Sequence, residues 1–210
     1  MRLANRSMRV GSLAVLLCLG GGCGSPLYET PEATFQAAKS AAERYDCQAF
    51  CRCLTTEARD QMAAELVLVG SFMQLAADFP GPGAEKARDR AKGIKAVLEK
   101  HGLTRRTTPP ISINLDGGKQ QQREMLKLVE PIADRNAFIA DFLRVLIETA
   151  DDPDARLIEP DARLVDLKTE AHAATATFAE TRQGKEHTSP IEFERIEGEW
   201  KISKLPRLLN

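Results

Sequence analysis

The spacing of apolar residues changes period once along this chain, at Asp161, and that switch limits it to few architectures. From about residue 31 to about 150, apolar side chains recur every three or four positions, the period of helices. From about 161 to 206 they alternate, the period of half-buried strands. Short links containing Gly184 and Gly198 separate those strands, which predicts an antiparallel meander. Helices followed by strands predict an α+β fold, with N-terminal helices packed on a C-terminal antiparallel sheet of three to four strands. One domain over 31–210 accommodates both parts and is long enough to bury a core.

The helical part carries its own punctuation. Thr30-Pro31-Glu32 reads as N-cap, first helical residue and first-turn acid. Phe35, Ala38, Ala42 and Tyr45 follow as one apolar stripe. Asp46 is placed to cap a short helix over 47–54, and Thr55 a third helix over 56–78. Within it, residues 62–79 are apolar almost all round, interrupted by Glu65, Gln74 and Asp78; such a helix is expected to be buried inside a domain. Phe79-Pro80-Gly81-Pro82-Gly83 breaks it. A charged amphipathic helix is expected over 84–100, stopped by Gly102, then a Thr/Pro/Gly-rich connection over 103–118. A helix over 119–133 holds Pro131, which should break it near Glu130. Asn136 is placed to cap a helix over 137–150, with Phe138, Phe142, Val145 and Leu146 aligned. Asp151-Asp152-Pro153-Asp154 lacks the alternating ligands, Gly and late Glu of a calcium loop and reads as a solvated acidic link.

Strands are expected over 162–168, 171–180, 187–196 and 199–205. Phe178, then Ile191 and Phe193, then Trp200 and Ile202 mark their apolar faces.

Ahead of all this stands a leader. Arg2, Arg6 and Arg9 precede an apolar run over 10–19, then Gly20, Gly21, Gly22 and Cys23. A positive start, a short apolar stretch and small residues at its end are the signature of a secretory signal. The run is half the roughly 20 residues needed to span a bilayer, so a removable leader over 1–22 is expected rather than a retained span. The Gly-Gly-Gly-Cys ending resembles the lipobox of bacterial lipoproteins, with Gly20 where that family usually has Leu. The resemblance implies acylation of Cys23, a tether over 23–30 and a lipid-anchored place in the cell envelope, periplasmic or on the outer surface.

Charge and cysteine narrow the functions. The net charge is −1, and removing the leader's three arginines leaves the remainder near −4, which argues against nucleic acid as a partner. Cys47, Cys51 and Cys53 form C-x3-C-x-C with no second cluster, too few ligands for structural zinc. They read as small buried residues of a short helix; an oxidising compartment would permit a disulfide among them. No residue takes a catalytic, cofactor-binding or metal-binding assignment, and no cofactor is implied.

Two stretches resemble NTF2-like (cystatin-like, SnoaL-type) domains: the opening from Thr30 through Tyr45-Asp46 to Phe50, and the closing hairpin with Gly198-Glu199-Trp200-Lys201-Ile202. The resemblance implies a curved sheet around a helix, with residues 62–154 as a helical insertion. Three functions follow as expectations. One is a binding module for a small apolar ligand or a protein. Another is a hydrolase or isomerase drawing on Asp166, His172, His187 or Glu192. The last is a helical scaffold docking through residues 62–79.

Overall fold

A computed structural model describes residues 28–77, 84–104, 107, 119–150 and 156–205. The leader, Cys23, the breaker cluster at 79–83, most of the 103–118 connection and the acidic run at 151–154 lie outside these residues.

Six helices precede four strands: α1 (Pro31–Glu43), α2 (Cys47–Arg52), α3 (Thr56–Ala76), α4 (Ala84–Lys100), α5 (Lys119–Lys127), α6 (Arg135–Glu148), β1 (Arg163–Thr169), β2 (Ala173–Arg182), β3 (Lys185–Ile196) and β4 (Glu199–Lys204). The strands form one antiparallel sheet in the order β1-β2-β3-β4. The α+β architecture read from the change of period is the one observed.

Helix starts follow capping chemistry. The Thr30 side chain accepts from the Ala33 amide at 3.1 Å, Asp46 from Ala49 at 2.9 Å and Thr55 from Ala58 at 3.1 Å. The cap of α6 is Asp134, which accepts from Ala137 at 3.0 Å, not Asn136. A carboxylate at a helix N-terminus also meets the helix dipole favourably. Asn136 instead accepts from Arg59 Nη1 at 3.3 Å.

Other boundaries differ from expectation as well. Helix α1 ends at Glu43, so Tyr45 leaves the apolar stripe and stands exposed. The Asp46 amide donates to Ala41 and the Tyr45 amide to Ala42, a Schellman closure that places Tyr45 at its left-handed position, φ 55°. Helix α5 stops at Lys127, four residues before Pro131, because the proline ring clashes with the carbonyl four positions back. Leu128, Val129 and Ile132 continue in tight i→i−3 turns that still bury their side chains. Strand β2 begins at Ala173 and β3 at Lys185; Gln183 (φ 52°) and Gly184 (φ 74°) form the two-residue turn between β2 and β3, with Glu197 and Gly198 doing the same before β4.

The sheet buries one face. Ala174, Ala176 and Phe178 of β2, Ile191 and Phe193 of β3 and Trp200 and Ile202 of β4 turn towards the helices. Phe35 of α1 meets Phe178 edge-on, ring centroids 6.0 Å apart. The Thr34 hydroxyl donates to the Trp200 carbonyl at 2.8 Å, and Lys39 Nζ reaches the carbonyls of Pro160 and Ala162. Helix α1 is thereby pinned at both edges of the sheet.

The edge of β4 is covered. Thr55 and Cys53 bracket Ile202 in a short parallel bridge, and the Trp200 amide donates to Tyr28 at 2.9 Å. Tyr28 is buried under this strap, so the folded part reaches into the expected 23–30 tether.

Helices α3, α4 and α6 continue the same core through Leu66, Ile94, Phe138 and Phe142. Gly70 permits their approach: a Cβ there would lie 2.9 Å from Ile94 and 2.9 Å from Phe142. Helix α4 ends in a Schellman closure with Gly102 at φ 83°, as its sequence predicts.

Candidate functional site

The four strand residues considered for catalysis do not converge. Asp166 is exposed in a bulge of β1 at φ 54°. His172 is exposed in the turn before β2, where only its carbonyl is engaged, by Arg195. His187 is exposed near the start of β3. Glu192 pairs with Lys204 at 2.8 Å on the solvent face of the sheet. No two of these make a dyad that could shuttle a proton.

Among the described residues two clefts of the helical part stand out, and neither is lined by a described residue of the sheet. The smaller, about 630 Å³, is bounded by Tyr45 and Cys47 on one side and Lys100, Asp141, Arg144 and Ile147 on the other. Asp141 organises its rim. Its carboxylate accepts from Lys100 Nζ at 2.6 Å and His101 Nε2 at 2.9 Å, and pairs with Arg144. Burial alone would raise this carboxyl. Hydrogen bonds from Lys100 and His101, with the charges of Lys100 and Arg144, outweigh it and hold the group below the usual aspartate value.

The His101–Asp141 pair ties α4 to α6 rather than serving the cleft. Its side chains are 9 % and 11 % exposed, the ring of His101 packs edge-on against Phe138 at 5.5 Å, and His101 does not line the cleft. Cys47 does line it, but burial pushes its thiol upward, away from the thiolate a nucleophile needs.

Cys47, Cys51 and Cys53 are all buried and free, as small core residues. Burial drives the Cys51 thiol up to about 12. Among the described residues, no group of three or more His, Cys, Asp or Glu side chains is placed to hold a metal ion.

The larger cleft, about 1090 Å³, is a groove between α3 and α4. Leu75 of α3 supplies exposed apolar surface over a floor of buried Val67, Ala91 and Leu98. Arg88, Lys92 and Lys95 stand along the α4 side, and the acid there, Glu99, is 3.8 Å from Lys95. Ser71 and Gln74 turn their polar groups back onto the carbonyls of Val67 and Gly70 of their own helix. At the end of α3, Phe72 is 53 % and Leu75 60 % exposed, while the preceding turns are buried.

Sequence reading placed residues 62–79 as a buried helix, and its first turns are. It missed the change at Phe72, because which face of α3 its neighbouring helices cover is set by their packing and not by the pattern of α3 itself. It also missed Asp141, although an acid three residues after Phe138 and next to Phe142 lies on a buried stripe. No helix among the described residues is long and apolar enough to cross a membrane. Comparison with protein-family models, with curated proteins and with solved structures found no match to this chain.

Proposed function

We propose that this chain is an exported bacterial lipoprotein, acylated at Cys23, whose folded part is a non-catalytic interaction module of the cell envelope. The observation that carries the module is the α3/α4 groove lined by the exposed Leu75, with Phe72, equally in water, three residues earlier on the same helix. Large apolar side chains grouped on one face of a helix favour docking over solvation. The groove has no polar group aimed into it from α3, since Ser71 and Gln74 are satisfied by their own helix, and small-molecule sites need such groups to orient a ligand.

The N-terminal pair α1–α2 and the β3–β4 hairpin support a divergent NTF2-like layout, with residues 62–154 as the insertion. Phe35 seated on Phe178 and the inward Trp200 and Ile202 are the contacts this layout asks for.

The experiment is photocrosslinking in cells of the producing bacterium, with the reactive residue at position 72 or 75 and, as a control, at Glu194 on the solvent face of β3. A discrete adduct at 72 or 75 and none at 194 is expected. No adduct at 72 or at 75 contradicts the module.

A further inference from the structure

We propose that the α3/α4 groove takes an acidic amphipathic helix presented by a partner protein; this rests on reading the folded part as an interaction module. Shape comes first. Val67, Ser71, Gln74 and Leu75 on α3 and Arg88, Ala91, Lys92 and Lys95 on α4 line it at helical spacing. The lining covers roughly 12 Å of α3 and, out to Glu99, roughly 16 Å of α4, two to three turns of a third helix. Two helices flanking a concave apolar strip of that length match the helix-in-groove mode of recognition.

Charge selects the partner. Arg88, Lys92 and Lys95 are exposed cations along one side, against Glu99 alone, on a chain whose net charge is −1. A helix with acids flanking its apolar stripe meets these cations; one with basic flanks is repelled. A flat bilayer surface is the poorer occupant, because the lining is a groove between two helices and a planar surface meets only its rims.

The test uses the full-length protein in phosphatidylcholine nanodiscs. Fluorescein-labelled peptides of about 18 residues, roughly 27 Å of helix, carry one leucine stripe and flanks of Glu, Gln or Lys. Fluorescence anisotropy is read against empty discs. The Glu peptide should bind about tenfold tighter than the Lys peptide, with Gln between them. Leu75→Asp should abolish binding of all three. Lys92→Glu with Lys95→Glu should reverse the order of the Glu and Lys peptides. These three side chains are exposed, so the substitutions leave the core intact.

Equal affinity for the three peptides overturns the acidic partner while leaving the module standing. No peptide bound above empty discs, with a crosslink at Leu75 still formed in cells, overturns a helix as the occupant. Neither peptide binding nor a crosslink defeats both readings. Preference for phosphatidylglycerol discs that is lost with Lys92→Glu and Lys95→Glu, without peptide binding, assigns the groove to a lipid surface and overturns the proposal.

Discussion

Asp141 sits on the buried stripe of α6, between Phe138 and Phe142, and is held there by cations that reach it from two helices. Asp141→Asn should cost about 2–3 kcal/mol at pH 7, since hydrogen bonds to a charged, buried group are lost. The native carboxyl titrates below its ordinary value, so the unfolded chain, near 3.9, takes up its proton first as pH falls. The contribution is therefore complete above about pH 4 and is lost as pH falls through the native pKa. Urea unfolding at pH 7 and pH 3 checks this: the gap between wild type and variant should narrow at pH 3. An unchanged gap contradicts it. A second residue-scale expectation concerns the thiols. Cys47, Cys51 and Cys53 are buried with raised pKa, so iodoacetamide at pH 8 should leave all three unmodified by peptide mass mapping until denaturant is added.

At the scale of the element, Tyr45 and Gly70 show what periodicity misses. Tyr45 occupies the left-handed position of a helix closure, where a Cβ costs about 1 kcal/mol. Tyr45→Gly should stabilise the protein by about 0.5–1 kcal/mol, read as a shift of the denaturation midpoint. Gly70→Ala should do the opposite. The substitution gains about 1 kcal/mol of helix propensity, but the new methyl would sit 2.9 Å from Ile94 and from Phe142. Overpacking of this kind costs about 1–3 kcal/mol, so net destabilisation is expected in the same assay. Caps at Thr30, Asp46 and Thr55 and the turn at Gln183-Gly184 were legible because each depends on residues within three positions of itself. The end of α5 was legible in kind, through Pro131, but was placed near Glu130 instead of four residues before the proline, where the ring clash falls. The choice of Asp134 over Asn136 was not legible, because both are capping residue types two positions apart; Asn136 is engaged by Arg59, far away in sequence.

At the scale of the whole molecule, the change of period at Asp161 was sufficient to set helices against an antiparallel sheet. The groove was not legible, because it exists between two helices whose separate patterns do not say how much of each the other covers. The same strap that buries Tyr28 beside β4 leaves five residues back to Cys23, a reach of roughly 17 Å, so an acylated Cys23 would hold the domain close to its membrane. Cys23→Ser should accordingly release the protein from the membrane fraction without changing its unfolding midpoint. Most direct is mass spectrometry of the protein extracted from membranes. A chain beginning at Cys23 and carrying acyl mass on that residue is expected. A chain beginning elsewhere, or at Cys23 without added mass, would contradict lipid anchoring at Cys23.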